Sequence, residues 1–314
     1  MAVKTEFSER ELAAILANYN LGDYRASQPL VGGTVQTNYR VQTTQGDFVF
    51  RYYENRPRES VLFEVQVIRY IRKRNFPCPT PFSDKHGQFV GQHRQKPFVV
   101  FEFIDGQPIA DPNSDQREAL LKKAAELQQM TRNYRPSYRK FRWNYTVSLC
   151  EQLAQKEAER IGDDNARAKL RWVRNALANL WLPRTLPKGV CHCDFHFSNV
   201  LFRNGDFVAL LDFDDANYTF LAFDLVSMID EWAWPHDPEG LNFAEARAIA
   251  QTYQQYRELA PSEKWHVYDI HKLQIMFDCI WFFGRGQAED FYERKKIEFL
   301  DRLDRESYYA MLLS

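Results

Sequence analysis

The sequence predicts an α+β fold in which a small antiparallel sheet comes first and a larger, mainly helical part follows. Two hydrophobic patterns support this prediction. Short β-rich runs separated by turn residues dominate up to about residue 104, and long stretches of three- and four-residue apolar spacing follow Asp105-Gly106. A chain of 314 residues, 45% of them hydrophobic, can bury a core in both parts. We therefore expect one lobe of residues 1–104 and a second of residues 105–314.

The first lobe is predicted to combine helices with a sheet. Ser8 precedes acidic residues and apolar residues at helical spacing, so it is expected to cap an N-terminal helix. The β-rich runs VQTNYRVQTT and DFVFRYYE flank Gln45-Gly46, which predicts a hairpin. Apolar residues then recur at helical spacing over 58–74, and the runs QFVGQ and KPFVVFEFI complete the sheet.

The second lobe is predicted to be helical around one short β-rich segment. Helical spacing is seen over 115–132, 145–160, 165–181, 241–258 and 267–284. The segment from Val190 to Ala216 contains two apolar runs joined by Asn204-Gly205, a pair typical of a tight hairpin turn. This hairpin carries a cluster of carboxylates at its ends.

Charge and cysteine content narrow the class of protein. The 41 Lys and Arg residues nearly balance the 42 Asp and Glu residues, which disfavours nucleic acid and anionic membrane as partners. The sequence lacks an apolar run long enough to span a membrane, and its start lacks the apolar core of a signal peptide. Five irregularly spaced cysteines favour a reducing cytoplasm. We expect a cytoplasmic protein that acts on a small molecule; the sequence leaves its oligomeric state open.

The segment from His192 to Asn199 carries the strongest chemical signal. Its spacing, HxDxxxxN, matches a catalytic loop in which an Asp accepts a proton from a substrate hydroxyl and an Asn binds metal. Asp212 follows across the hairpin, where a second magnesium ligand is expected. We predict phosphoryl transfer to an alcohol, with Asp194 as the base, Asn199 and Asp212 as Mg²⁺ ligands, and His192 as a structural residue that braces the loop.

A metal site built on soft ligands is the competing interpretation of the same segment. Cys191, His192, Cys193 and His196 are all competent zinc ligands. Alternate residues of a strand point to opposite faces, so the two cysteines share a face that His192 does not. Because no second pair of ligands completes a tetrahedral set, buried cysteines and a bracing histidine are favoured instead.

Groups that bind the phosphates of a nucleotide are expected in the first lobe. Gly32 and Gly33 precede the first strand of the hairpin and permit close approach of backbone to phosphate. Arg51 ends the run Phe48-Val-Phe-Arg and is placed to contact the phosphates. Glu64 on the following helix is expected to pair with Arg51, with Glu59 as the rival partner.

Taken in order, these motifs resemble the aminoglycoside phosphotransferase and choline kinase superfamily, in particular its type II homoserine kinase-like branch. The resemblance covers nearly the whole chain through VFRYYE, FEFIDG, HCDFHFSNVLF, LLDFDDA and FDL. It implies a two-lobed protein-kinase-like fold with MgATP as the donor, although GTP is not distinguished from ATP. It also implies that adenine forms hydrogen bonds with backbone groups of the linker around Glu102 and Ile104. Arg51 departs from the lysine that kinases usually carry there, which leaves its contacts open.

The alcohol that accepts the phosphoryl group is less defined. Carboxylates alternate with aromatic residues after the hairpin, which suits a cationic amine. Arg285 could bind a substrate carboxylate. We expect a homoserine-like amino alcohol first, aminoglycosides or choline-type alcohols second, and hydroxylated sugars third; a catalytically silent nucleotide-binding regulator is the alternative of another class. The candidate acceptor-binding residues are Asp214, Asp215, Glu231, Trp234 and Arg285.

Overall fold

The structure is a computed structural model that describes residues 4–30, 35–234 and 240–313. Its chain divides into two compact units that alternate along the sequence. The first unit comprises residues up to Asp111, Pro136–Arg142 and Phe197–Asp214, and the second comprises Pro112–Arg135, Trp143–His196 and residues from Asp215 onward. The hairpin after the HxDxxxxN motif thus groups with the first unit. The boundary between residues 104 and 105 stays a prediction about functional lobes.

The helices and strands have the following bounds. The helices are α1 Glu9–Leu16, α2 Arg58–Arg72, α3 Ser114–Thr131, α4 Val147–Ile161, α5 Asp164–Ala178, α6 Phe223–Ala233, α7 Phe243–Tyr256, α8 Pro261–Trp281, α9 Tyr292–Asp301 and α10 Arg305–Leu313. The strands are β1 Tyr24–Pro29, β2 Thr37–Thr43, β3 Gly46–Tyr52, β4 Pro81–Phe82, β5 Gly91–His93, β6 Lys96–Glu102, β7 Lys188–Cys191, β8 Val200–Arg203, β9 Asp206–Leu210 and β10 Asn217–Phe220.

The first unit is built on an antiparallel sheet of order β1-β2-β3-β6-β4, with β5 also paired to β6. Ser8 caps α1 as predicted, in a reciprocal arrangement with Glu11. Phe50 and Tyr52 of β3 are buried in a core cluster together with residues of α1. Because successive side chains of a strand alternate between faces, Arg51 points to the opposite face of the sheet. The strand pattern therefore places Arg51 on the face of the sheet opposite this core cluster.

The hairpin β8–β9 has the predicted turn. Asn204 and Gly205 both have positive φ, 54° and 91°, as a type I′ turn requires. Gly106 lies against this hairpin, where a Cβ atom would come within 2.9 Å of the Leu201 Cβ. Gln107 exchanges two backbone hydrogen bonds with Phe202 at the same place. The linker after β6 is therefore fixed to the hairpin by backbone contacts that only a small residue permits.

The second unit is mainly helical, and it also contains a two-stranded antiparallel sheet formed by β7 and β10. Helix α8 packs against α4, α5, α6, α9 and α10. A buried, two-pronged ion pair between Arg257 and Glu263 fixes the start of α8, and Lys169 donates to the Phe283 carbonyl oxygen just beyond its end. The short helices α6, α9 and α10 were not predicted by the sequence patterns. No helix in the described ranges is long and apolar enough to cross a membrane.

Candidate active site

A buried carboxylate on α6 holds the turn that presents Asp194. Strand β7 ends at Cys191, and the backbone N–H groups of His192 and Cys193 both donate to the Asp224 carboxylate, at 3.0 and 2.8 Å. Cys193 has a φ of 64°, a left-handed conformation that is uncommon for residues other than glycine. Such strain persists only where surrounding contacts determine the backbone. Asp224 supplies those contacts.

The Asp224 carboxylate is itself part of a buried network. It is fully buried, and Gln128 of α3 donates to its Oδ2 at 2.9 Å. The Tyr253 hydroxyl of α7 donates in turn to the Gln128 side-chain oxygen. Burial raises the pKa of Asp224, while the hydrogen bond from the Cys193 N–H opposes that rise. These donors compensate a carboxylate that would be costly to bury alone.

A cavity of about 310 Å³ opens beside Asp194 within the second unit. Its walls are acidic and aromatic, and no Lys or Arg is among the described residues that line it. The lining consists of Tyr145, Cys193, Asp194, Phe195, His196, Asp215, Phe223, Ser227, Glu231, Gln274, Phe277, Asp278, Trp281 and Phe282. The cavity is large enough for a small metabolite, and four of its lining residues are carboxylates.

His196 is the basic residue of this lining. Its Nε2 lies 2.9 Å from the Glu231 Oε1, and both side chains are partly exposed. The hydrogen bond to Glu231 raises the pKa of His196, against the opposing effect of its partial burial. Glu231 therefore has a hydrogen-bond partner whose protonated form it stabilises.

The two predicted metal ligands belong to the first unit. The Leu211 N–H donates to the Asn199 carbonyl oxygen at 2.7 Å, which joins the end of the HxDxxxxN motif to the residue before Asp212. Asp212 has a φ of 57°, a second left-handed residue at a predicted functional position. Carboxylate and amide oxygens are hard ligands that suit Mg²⁺, which proteins usually bind through one or two carboxylates plus substrate phosphates. The chemistry of this pair therefore fits magnesium.

Comparison with known proteins decides the family. A sequence model of a phosphotransferase enzyme family matches residues 27–261 of the chain. The chain belongs to this phosphotransferase enzyme family. It is 31% identical to a homoserine kinase of Methylobacterium radiotolerans over 84% of this chain and 81% of that protein. It is 27% identical to a homoserine kinase of Parvibaculum lavamentivorans over 93% and 86%. The protein is thus an ATP-dependent small-molecule phosphotransferase.

Solved structures confirm the predicted protein-kinase-like α+β fold of the phosphotransferase. An amicoumacin kinase in complex with AMP-PNP matches with a TM-score of 0.64 at 16% identity, over 97% of this chain and 94% of that one. A spectinomycin phosphotransferase matches with a TM-score of 0.62 at 13% identity, over 97% of both chains. A microcompartment-associated aminopropanol kinase matches with a TM-score of 0.58 at 15% identity, over 96% and 94%.

Arg51 of the phosphotransferase pairs with Asp212 and not with Glu64. Its Nη2 lies 2.6 Å from the Asp212 Oδ1, and Asp212 is the more exposed of the two carboxylates. Glu64 is 2% exposed, and burial raises its pKa to about 7. The predicted pair is therefore wrong for this structure, because burial favours the neutral form of Glu64 while Asp212 remains accessible to the guanidinium. The expected contact of Arg51 with nucleotide phosphates stays a prediction.

The other nucleotide-binding candidates lie in or near the sheet. The Glu102 side chain accepts from the Thr80 hydroxyl at 2.8 Å, and its backbone N–H donates to the Thr80 carbonyl oxygen. Ile104 is half-buried in the linker after β6. Gly32 and Gly33 lie outside the described residues, so their predicted contact with phosphate is not tested. The nucleotide-binding role of this set stays a prediction.

Two predicted acceptor residues are wrong because the structure places them in packed interiors. Asp214 is 6% exposed, and its carboxylate accepts from Arg56 at 2.9 Å and Gln36 at 2.8 Å within the first unit. Burial would raise the pKa of Asp214, but the charges of Arg51 and Arg56 and the hydrogen bonds from Arg56 and Gln36 outweigh it, so the pKa is lowered. Trp234 is 4% exposed and packs edge-to-face on Phe299. Neither residue lines the cavity.

The remaining acceptor candidates lie at the cavity. Asp215 and Glu231 are part of its lining. Arg285 is exposed, and its guanidinium lies 4.2 Å from the centre of the Phe282 ring, which is itself a lining residue. Their contact with an acceptor stays a prediction.

The soft-metal interpretation of the cysteine-rich segment finds no support in the described residues. No group of three or more His, Cys, Asp or Glu side chains in those residues could hold a metal ion. Cys191 is buried and its thiol donates to the Phe220 carbonyl oxygen at 3.2 Å. His192 is fully buried with its ring edge-to-face against Phe195. These environments agree with packing and bracing roles.

Sequence reasoning missed two carboxylates of the phosphotransferase. Asp224 is not among the predicted site residues, although its carboxylate accepts hydrogen bonds from the backbone N–H groups of His192 and Cys193, just before Asp194. Asp278 lines the cavity from α8. The signal for Asp278 was available, since it is the one charged residue in the apolar run Ile275-Met-Phe-Asp-Cys-Ile-Trp281. Carboxylates are seldom placed among apolar residues of a buried helix, so a single Asp in such a run indicates a candidate functional residue.

Proposed function

We propose that this phosphotransferase transfers the γ-phosphoryl group of MgATP to the hydroxyl of a small amino alcohol bound in the cavity beside Asp194. The observation that carries the proposal is the cavity itself, in which Asp194 shares the lining with three further carboxylates and a wall of aromatic rings. Carboxylates and aromatic faces both attract ammonium groups. Homoserine is one candidate acceptor, because the similar curated proteins are homoserine kinases, and amino alcohols without a carboxylate are the others.

Asp194 acts as the base in the proposed reaction. It accepts the proton of the acceptor hydroxyl while the oxygen forms a bond to the γ-phosphorus and the bond from that phosphorus to the bridging oxygen of ADP breaks. The side chain of Asp194 is exposed on the cavity wall, while its backbone is fixed through Asp224. A base that is accessible on a rigid backbone is positioned without having to reorganise during the reaction.

Residues of the first unit would bind the nucleotide and its Mg²⁺ ion. Asn199 and Asp212 would hold Mg²⁺, which neutralises charge on the transferred phosphoryl group when bound. Arg51 of β3 would contact the phosphates together with the backbone near Gly32 and Gly33. The adenine would bind the linker that contains Glu102 and Ile104. The Arg51 guanidinium could donate hydrogen bonds to two phosphate oxygens at once, because its N–H groups are held in one plane.

A panel of acceptors tests the proposal. The purified protein is incubated with MgATP and, separately, homoserine, ethanolamine, choline, an aminoglycoside and methylthioribose, and ADP release is followed. We expect at least one amine to stimulate release, because the cavity is acidic, and methylthioribose to give none. Release stimulated by methylthioribose and by no amine would contradict the proposed acceptor class. Asp206→Asn, at an exposed position at the start of β9, is the control expected to match the unmodified protein.

A further inference from the structure

Asp278 differs from the other carboxylates of the cavity in its surroundings. It projects from α8 into a lining that also includes Phe277 and Trp281 of the same helix. The Gln274 side-chain amide donates to its Oδ2 at 2.8 Å, and the carboxylate keeps part of its surface accessible as part of the cavity wall. The Asp278 carboxylate can therefore accept further hydrogen bonds from a ligand in the cavity.

The basic groups near Asp278 are committed to another carboxylate. Lys296 of α9 lies 2.6 Å from Asp230, and His271 lies 3.4 Å from the same side chain. Asp230 therefore has two cationic or potentially cationic partners. Asp278 has no ion-pair partner among the described residues, so it lacks the compensation that buried carboxylates usually need.

The electrostatic surroundings of Asp278 favour a bound cation. Burial raises its pKa to about 7, and the charge of Asp230 adds to the rise, while Lys296 and the hydrogen bond from Gln274 oppose it. Glu293 of α9 also raises it. The other titratable groups among the described lining residues are the acids Asp194, Asp215 and Glu231, together with His196, Cys193 and Tyr145. An ammonium ion placed against Asp278 would relieve repulsion among these acids.

The aromatic lining supports the same occupant. Tyr145 stacks on Phe223 with ring centres 4.7 Å apart, and packs edge-to-face on Phe277 at 4.4 Å. Trp281 is 57% exposed, and the centre of its ring lies 5.9 Å from the centre of the Trp143 ring. Aromatic faces attract organic cations, and a pocket that combines them with carboxylates repels anions.

We infer that Asp278 binds the ammonium group of the acceptor and makes this phosphotransferase select amino alcohols that carry no carboxylate. The inference rests on the proposed function and narrows its substrate class. Among the described lining residues, a substrate carboxylate would face four acidic side chains, and the one basic residue, His196, is already paired with Glu231. The exposed Arg285 is not part of this lining, and its guanidinium lies over the Phe282 ring. Homoserine and 3-aminopropan-1-ol form the matched test pair, because they differ only by that carboxylate.

Calorimetric binding in the presence of a non-hydrolysable ATP analogue tests the inference directly. We expect 3-aminopropan-1-ol to bind at least about tenfold more tightly than homoserine. Asp278→Asn should weaken its binding at least about tenfold, because a neutral amide oxygen replaces the charged carboxylate that faces the ammonium group. Asp290→Asn makes the same chemical change at an exposed carboxylate outside the cavity and is the matched control. Binding of homoserine as tight as that of the amine, unchanged binding in Asp278→Asn, or no binding of the amine would each overturn the inference.

The pH dependence supplies a readout that a merely structural role would not produce. Only the ionised carboxylate attracts ammonium, and the amine stays charged up to about pH 9, near the usual range of alkyl ammonium groups. Affinity should therefore rise as the pH increases from 6 to 8 through the pKa of Asp278, and Asp278→Asn should remove most of that rise. Asp278→Glu should restore it, and an unaltered pH profile in Asp278→Asn would contradict the assignment.

Failure of the inference can be told apart from failure of the proposed function. Binding is measured without turnover, whereas ADP release reports the reaction. If an acceptor such as homoserine is phosphorylated but Asp278→Asn leaves binding and pH profile unchanged, the kinase assignment stands and the role of Asp278 is wrong. If 3-aminopropan-1-ol binds through Asp278 but no acceptor stimulates ADP release, the site assignment stands and the proposed reaction fails.

Discussion

Asp194→Asn is expected to lower kcat at least about a hundredfold while leaving the affinity for MgATP within about twofold. The amide is close in size to the carboxylate but cannot accept the proton of the acceptor hydroxyl. Folding should be preserved, because the side chain is exposed and the loop is held by backbone contacts to Asp224. ADP release at saturating acceptor measures kcat, and calorimetry measures nucleotide affinity.

The control for this experiment is the same chemical change at Asp206, which is exposed at the start of β9. Asp206→Asn should leave both quantities unaltered, since surface substitutions usually change little. Turnover retained in Asp194→Asn would remove Asp194 from the role of base. Loss of nucleotide binding together with turnover would show instead that the residue acts through the structure of the site.

Asp224→Ala is expected to lower the free energy of unfolding by about 3 to 5 kcal/mol and to reduce turnover of the protein that remains folded. The substitution leaves the N–H groups of His192 and Cys193 and the Gln128 amide without their buried acceptor. Each unsatisfied buried group costs about 1–3 kcal/mol. Urea unfolding followed by fluorescence measures the first effect.

The effect on turnover is expected because Cys193 is held in a left-handed conformation directly before Asp194. Without Asp224 the backbone can relax, and a displacement of about 1 Å at a reacting group can cost roughly a hundredfold in rate. Asp224→Asn keeps one carbonyl oxygen and should fall between the native protein and Asp224→Ala in both measurements. An alanine variant with native stability and native turnover would show that Asp224 does not position the loop.

The features that the sequence predicted well are local. Asn204-Gly205 requires positive φ at both positions, so the turn and the hairpin around it follow from two adjacent residues. The HxDxxxxN spacing likewise lies within one loop. The long helices followed from apolar spacing, with ends within a few residues of those observed for α3 and α4.

The features that the sequence did not predict depend on contacts between distant segments. Asp224 meets Gln128, which lies 96 residues earlier, and nothing in the sequence around either residue indicates that contact. Asp214 and Asp215 are neighbours in a single 3₁₀ turn, yet one is buried in the first unit and the other lines the cavity of the second. Periodicity assigns faces only in regular helices and strands, so it could not separate these two carboxylates.

Trp234 and Arg51 show that residue type and spacing also fail to predict which side chain enters the core and which ion pair forms. An aromatic residue near an acidic cluster suits a cation site or a core equally well, and Trp234 is in the core. Arg51 has several carboxylates within electrostatic range, and the choice of Asp212 over Glu64 depends on their burial. Burial is a property of the folded chain that neither residue type nor spacing determines.

The central claim is that a hydroxyl of a small amine receives the γ-phosphoryl group of ATP, and phosphorus NMR of the reaction products tests it most directly. The protein is incubated with MgATP and 3-aminopropan-1-ol, and with MgATP and homoserine in parallel. We predict a phosphate monoester whose resonance couples to the protons of the adjacent CH₂ group, formed in step with ADP and at least about a hundredfold more slowly with Asp194→Asn. ADP accompanied only by inorganic phosphate, or a product phosphorylated on nitrogen, would contradict the account.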